Sequence, residues 1–435
     1  MSGAAPEPLG LPRRSFAIIF CVSLATALGN TGLISVLPAI GRSTGIPDPW
    51  VAAIFSLSAL LWAFSSPMWA RASDRFGRKP MMIVGLSGFM ISMICCGFVV
   101  SAGLRHLAPW PIIFGLFLFA RALFGFFGAA SNPATQAYVA EYTPPDRRTQ
   151  SMSSLAGAFG LGTVIGPFLA PLFVLPFVGL AGPLFSFALI AAVMLFIVIR
   201  YLPESEHRPA PQAADPAGPK PSPMWRDPRI TPFLIYGFIV AVCQTAQGQT
   251  LGFLIIDQLQ MSPTQAQGFI AIAMMFGAMA GLLAQWGIIR MFEMTPRELL
   301  RWGVGVAALG NLIVALAPNY WAVVAGYAIS SLGFGFARPG FTAGSSLAVN
   351  LDEQARVAGA IAAVNGVNVV LAPFFVWLYE KVHPAPFVLN MAMMLALLVY
   401  AFRNPQLRNA DPKPATRADT AMATLEKRDE SGGAP

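Results

Sequence analysis

Long runs of apolar residues recur along the chain, each separated from the next by a short polar or Pro/Gly-containing segment. The runs are about 18–28 residues long, which suits the roughly 20 residues that a helix needs to cross a bilayer. We predict membrane-spanning helices over 16–40, 50–70, 81–103, 110–139, 151–175, 182–201, 230–256, 265–289, 299–317, 320–348, 356–380 and 386–402. Because the runs are continuously apolar, they exclude the alternating strands of a transmembrane barrel. The predicted fold class is therefore an all-α membrane protein with twelve transmembrane helices.

A proline-rich segment divides the twelve predicted helices into six and six. Residues 203–228 contain eight prolines, a composition typical of an extended linker. We therefore predict a first six-helix bundle over 1–202, a cytoplasmic linker over 203–228, a second six-helix bundle over 229–403 and a disordered cytoplasmic tail over 404–435.

The two halves show a weak internal repeat. Pro133 and Pro167 in the first half are 34 residues apart, as are Pro339 and Pro373 in the second half. Together with the central linker, this spacing favours duplication of a six-helix unit. Paired halves with a binding site between them are an architecture of membrane transporters.

The composition supports the membrane assignment. Of the 435 residues, 56% are hydrophobic and only 11% are charged, whereas soluble proteins have about 25% charged residues. A water-soluble enzyme is therefore excluded.

The basic residues predict the orientation. If both termini are cytoplasmic, 23 of the 28 Lys and Arg residues lie on the cytoplasmic side and three lie outside. This asymmetry follows the positive-inside rule, and it accounts for the net charge of +8 without a nucleic-acid partner. We expect an integral protein of the cell inner membrane.

Three motifs resemble those of the major facilitator superfamily. Residues 74–79, between the second and third predicted helices, read Asp-Arg-Phe-Gly-Arg-Lys. Arg121 begins an Arg-x-x-x-Gly pattern in the fourth helix, and Gly162-x-x-x-Gly166-Pro167 lies in the fifth. The chain is most similar to the twelve-helix drug:proton antiporters and tetracycline pumps of that family.

The resemblance implies alternating access, in which two helix bundles rock around a central site. It implies gating roles for an ion-pair network that closes the cytoplasmic side, formed by Asp74, Arg75, Arg78, Lys79 and Glu141, and Gly77 permits the tight bend between the two helices. It also implies that Gly162, Gly166 and Pro167 let helices approach and bend where the two bundles meet.

Proton coupling is implied by the resemblance alone. Proton-coupled exporters usually have a carboxylate within the membrane, but none of the 20 acidic residues lies near the middle of a predicted helix. The remaining candidates are Asp74 and Glu141 inside and Asp257 outside.

Polar side chains within the predicted helices are the candidates for substrate binding. They are Asn30, Arg121, Gln244, Gln247, Gln249 and Arg338. An arginine in the membrane costs several kcal/mol unless it is solvated or paired, so Arg121 and Arg338 favour a cavity that binds an anionic group. Hydrogen bonding between helices is the alternative for Arg121 and the amides, and extension to the cytoplasmic end is the alternative for Arg338.

These observations predict a secondary active transporter that exports small amphipathic molecules with proton coupling. An alternative is a transporter of organic anions, such as carboxylate siderophores or acidic metabolites. A membrane enzyme or a non-transporting receptor is a remote alternative, since the sequence has no catalytic or phosphate-binding motif. The expected partners are a small-molecule substrate, protons and the lipid bilayer, with a monomeric chain, no cofactor, no metal ion and no nucleic acid.

Overall fold

We describe a computed structural model of the protein over residues 12–204, 224–350 and 353–411. Within these residues, twelve helices are long and apolar enough to span a membrane, which confirms the predicted fold class. In chain order, α1–α12 are Arg13–Thr44, Asp48–Phe76, Arg78–Leu104, Trp110–Tyr142, Gln150–Phe173, Gly182–Tyr201, Thr231–Leu259, Pro263–Met291, Pro296–Ala315, Tyr320–Leu347, Arg356–Lys381 and Ala385–Arg403.

The first helices are longer than their apolar runs. Arg42 lies in the last turn of α1, and Asp48 is the buried first residue of α2, although the sequence pattern placed both in an outer loop. At its other end, α2 continues to Phe76, so that Asp74 is helical and Gly77 alone separates α2 from α3. Gly77 has a φ of 97°, a conformation that only glycine adopts without strain. We call the two ends of the molecule the Arg42 end and the Asp74 end.

Close contact between α1 and α5 holds the first half together. A methyl group on Gly162 would lie 2.6 Å from Cβ of Ala27, and one on Gly166 would lie 2.3 Å from the carbonyl oxygen of Leu28. Both glycines face α1, a helix of their own half, and the backbone-to-backbone approach there leaves no room for a side chain. Their role where the two bundles meet stays a prediction, and α5 also contacts α8 of the second half. Pro167 follows them within the same helix.

The seam between the halves is formed by α2 with α11, α5 with α8, and α1 with both α7 and α8. Its polar contacts lie toward the Arg42 end. The Ser56 hydroxyl donates to the carbonyl of Val369 at 2.7 Å, and the Gln267 amide donates to the carbonyl of Ser35 at 3.0 Å. Arg42 of α1 pairs with Asp257 of α7.

Parts of the predicted linker and tail are folded. Met224, in the linker, lies in a short helical turn and is buried beside Ile230. In the tail, Pro405–Arg408 forms a short helix, α13, and Leu407 is buried against the second half. Both segments were expected to be unpacked because prolines and polar residues dominate them, but Met224 in the linker and Leu407 and Ala410 in the tail pack against the second half. Residues 205–223 and 412–435 lie outside the described residues.

A cluster of charged side chains lies just before α7, where the chain enters the second half. Arg229 donates to Asp227 at 2.7 Å and to Glu353 at 2.9 Å. The hydrogen bonds from the Arg229 guanidinium lower the pKa of both carboxyl groups below their usual range. The cluster therefore connects the segment before α7 to the segment before α11.

We predict that Gly166→Ala destabilises the protein by about 1–3 kcal/mol, because the added methyl overlaps the α1 backbone. Gly305→Ala is the matched control, since no atom lies within 4 Å of its added methyl and alanine favours a helix. Thermal unfolding in detergent measures both variants. Equal melting temperatures for the two variants would contradict the α1–α5 contact.

Candidate functional site

A polar cavity of about 100 Å³ lies among α7, α10 and α11. Its lining is made up of small, amide and arginine side chains: Ala241, Gln244, Thr245, Arg338, Asn365, Asn368 and Val369. No acidic side chain is among these lining residues.

Arg338 is the charged group of this cavity. Its guanidinium donates to Asn365 Oδ1 at 3.1 Å and lies 3.5 Å from Gln244 Oε1. The side chain is exposed although it comes from the interior of α10. Arg338 therefore turns into the cavity instead of extending to the helix end, and its charge faces neutral amide oxygens. Such a site is suited to an anionic group.

Two further cavity residues were missed by the sequence analysis. Asn365 and Asn368 are three residues apart in α11, so they lie on one face of the helix. Thr245 donates to Asn368 at 2.6 Å and fixes that face against α7. Two asparagines at this spacing in an otherwise apolar run were the available signal.

Arg121 occupies a different environment. It is fully buried, and its Nη2 donates to Asn30 Oδ1 at 2.9 Å, which joins α4 to α1. The guanidinium also lies over the rings of Phe55 and Phe124, at 5.1 and 4.7 Å. Its Nε and Nη1 have no hydrogen-bond partner among the described residues. Asn30 and Arg121 thus form a buried pair in the first half, apart from the residues that line the Arg338 cavity.

The remaining amide candidates have separate locations. Gln247 is buried and donates to the Ser330 hydroxyl, so it joins α7 to α10 and does not line the cavity. Gln249 is half-buried, and no hydrogen bond to another described residue is present at its side chain. Of the six predicted binding residues, the structure therefore brings together Gln244 and Arg338 in one place and Asn30 and Arg121 in another.

The ion-pair network predicted from the motif is present at the Asp74 end. Arg78, at the start of α3, donates to Asp74 at 2.5 Å and to Glu141 of α4 at 2.6 Å. The Lys79 ammonium donates to the carbonyl of Ile199 at 3.0 Å, and Arg75 stacks on the ring of Phe76. These contacts all lie within the first half, and 54% of the Asp74 side chain is exposed. In this conformation they do not bridge the two halves.

The polar contacts of the seam and the exposed Arg338 together define the conformation. The halves are joined at the Arg42 end by an ion pair and hydrogen bonds. At the Asp74 end, the motif network stays within one half and Asp74 is exposed. The described polar contacts between the halves therefore lie toward the Arg42 end, whereas the motif contacts at the Asp74 end stay within the first half.

Comparison with known sequences identifies related proteins. A family model described as Major Facilitator Superfamily matches residues 19–373. Multidrug resistance protein 2 of Bacillus subtilis (strain 168) is 32% identical over 191 residues, or 42% of this chain and 44% of that protein. Tetracycline resistance protein, class C, of Escherichia coli is 25% identical over 361 residues, or 80% of this chain and 85% of that protein. The chain thus aligns with less than half of the Bacillus relative.

Solved structures share the fold. The human organic anion transporter MFSD10 (TETRAN) superposes with a TM-score of 0.62 at 20% identity, covering 90% of this chain and all of that chain. A peptide transporter POT in complex with sulfate superposes with a TM-score of 0.73 at 14% identity, covering 92% of this chain and 96% of that chain. At these identities, the likeness is one of architecture.

We predict that Glu141→Gln destabilises the protein by about 1–2 kcal/mol, because Arg78 is nearly buried and loses one of its two carboxylate partners. Arg75→Gln removes a charge from the same turn, but Arg75 is exposed, so its effect should stay within about 0.5 kcal/mol. Chemical or thermal unfolding compares the two variants. An unchanged stability in Glu141→Gln would show that Glu141 does not stabilise this network.

Proposed function

The chain belongs to the major facilitator superfamily of transporters, and from that premise we propose that it exports small amphipathic molecules by alternating access, driven by the proton gradient. One observation is the main support: ion-pair and hydrogen-bond contacts join the two halves toward one end, while the charged motif at the other end keeps its contacts within the first half. A transporter of this type needs two such states, with the same cavity facing opposite sides of the membrane.

The Asp74 end is the cytoplasmic side in this proposal, in the inner membrane, with both termini inside. The excess of basic residues in the segments at that end supports the orientation. The conformation described above is then the one that takes substrate from the cytoplasm. We propose that the chain works as a monomer.

The motif residues would act when the cytoplasmic side closes. Asp74 is the exposed member of the network, and its contact with Arg78 leaves part of the carboxylate free to meet the second half. The single residue Gly77 and the anchored Lys79 hold Asp74 and Arg75 at a fixed place on that surface. A partly shielded ion pair that exists in one state only can shift the equilibrium by the few kcal/mol that switching requires.

The relatives support export of drug-type molecules. Their names describe multidrug and tetracycline resistance proteins, although the multidrug relative aligns over less than half of its length. Transport of such substrates by this chain is therefore part of the proposal.

Organic anions are a second candidate class, and Arg338 is the observation that favours them. Its charge faces a cavity without an acidic lining residue, so an anionic substrate would supply the missing partner. Arg121 is less suited to this role because it is buried among aromatic rings.

We predict that Arg338→Gln weakens binding of anionic compounds at least tenfold, equivalent to about 1.4 kcal/mol, and leaves neutral compounds unaffected. Arg338→Lys keeps the charge and should retain most of the affinity. A thermal-shift screen of cationic, neutral and anionic compounds identifies the ligand class, and titration of the hits measures the change. Wild-type affinity for an anion in Arg338→Gln would exclude this site for that class.

We also predict that substrate flux in proteoliposomes follows an imposed pH gradient and collapses when a protonophore is added. The gradient is the only energy source present in such an assay, so the result reports coupling directly. Flux that is indifferent to both the gradient and the protonophore would reject proton coupling while leaving transport itself intact.

A further inference from the structure

Arg42 is shared by two carboxylates at the seam. Its Nε and Nη2 donate to Asp48 at 3.3 and 2.8 Å, within the first half. Its Nη2 also donates to Asp257 Oδ2 at 2.9 Å, and its Nη1 donates to Asp257 Oδ1, across to the second half. The guanidinium in addition lies 5.5 Å from the centre of the Phe253 ring in α7.

The cluster contains more acid than base. Arg42 faces Asp48 and Asp257, and Glu380 of α11 lies beside them because it accepts a hydrogen bond from the backbone N–H of Asp48. The other groups that face Asp48 are His383 and Tyr379, and Lys381 lies beside Glu380. Only 25% of Arg42, 10% of Asp48 and 24% of Asp257 is exposed, so water screens these charges incompletely.

The two acids of Arg42 are not equivalent. Asp257 accepts an additional hydrogen bond at 2.6 Å from the Tyr379 hydroxyl, and Nε2 of His383 lies 3.8 Å from Oδ2 of Asp257. Asp48 has Arg42 as its side-chain donor and is the less exposed of the two. When the halves separate at this end, Asp48 keeps Arg42 for itself, because both belong to the first half. When they meet, Asp48 must share Arg42 and lie beside the carboxylates of the second half.

We propose that Asp48 is a proton-binding site, and that closure of the Arg42 end takes up a proton there. Like charges that are brought together in a shielded site favour protonation of one of them. The proton comes from water outside and ends on an Asp48 carboxyl oxygen, which neutralises that group. Arg42 is then left to pair fully with Asp257, and the contact across the seam becomes stronger.

This inference rests on the proposed alternating access and gives it a direction. Outside acid would favour the state that is closed outside and open to the cytoplasm, which is the return step that an exporter driven by protons needs. Because the site acts on the conformational equilibrium, it can be tested without a substrate.

The experiment measures distances across the Arg42 end in the full chain as a function of pH. Spin labels are placed at Leu107→Cys and Met261→Cys, which are exposed on opposite halves, after the four native cysteines are replaced by alanine. A second pair, Phe76→Cys and Met291→Cys, reports the Asp74 end. As the pH is lowered from about 8 to about 5, we expect the Arg42 end to close and the Asp74 end to open. If one proton is bound, the ratio of molecules closed to molecules open at the Arg42 end should rise by at most about tenfold per pH unit.

Two neutral variants separate the proposal from a purely structural role. Asp48→Asn mimics the protonated state, so the Arg42 end should be closed at every pH. Asp257→Asn removes the negative charge across the seam and one of the two oxygens that accept from Arg42, so the same end should open. His383→Gln should keep the pH dependence of the wild type.

Each other outcome overturns the proposal. A wild-type distribution that does not change with pH removes the proton site, and this result needs no variant to fold. Opening of the Arg42 end in Asp48→Asn would show that the negative charge of Asp48 stabilises the seam, which is the opposite of the proposal. Loss of pH dependence in His383→Gln assigns the titration to the histidine. Flux is not measured, so absence of export cannot be mistaken for any of these results.

Discussion

An arginine inside a membrane is stable only where water or a partner replaces its lost hydration, and this constraint determines much of the arrangement described here. Arg338 meets it by facing a polar cavity with amide oxygens. Arg121 meets it with Asn30 and two aromatic faces in a fully buried position. The same kind of residue thus marks a solvated site in the second half and a helix-joining contact in the first.

Packing density divides the molecule into parts that move together and parts that can separate. Within each half, backbones approach so closely that a methyl group would overlap its neighbour, as at Gly166 against α1 and Gly333 against Ala307 of α9. Across the seam the spacing varies: a methyl on Gly157 would lie 3.8 Å from Trp286 and one on Gly366 would lie 3.6 Å from Ala63, whereas toward the Arg42 end one on Gly252 would lie 2.5 Å from Pro38. Rigid halves with a seam that is tight only toward the Arg42 end are suited to rocking of two bundles about that end.

The fold and part of the site followed from the sequence, for different reasons. The number and position of the helices follow from the length of the apolar runs, which is a local property. The Arg78–Glu141 pair was expected because the motif resembles a known one. The Arg42–Asp257 pair was not expected, since 215 residues separate its members and no local pattern connects them. For the same reason only some of the cavity residues were predicted. Gln244 and Arg338 were candidates because they are polar residues in apolar runs. Asn365 and Asn368 can be assigned to the cavity only once α11 is known to lie beside α7.

The one-residue connection at Gly77 has a mechanical consequence. A loop of several residues, such as the segment between Met291 and Pro296 that joins α8 to α9, can absorb a change in the angle between its helices. The connection between α2 and α3 is too short to do so, and the hydrogen bond from Arg78 of α3 to Asp74 of α2 stabilises the angle between the two helices. A tilt of α2 must therefore tilt α3 by a similar angle. The two helices are then expected to move together as one rigid unit of the first half.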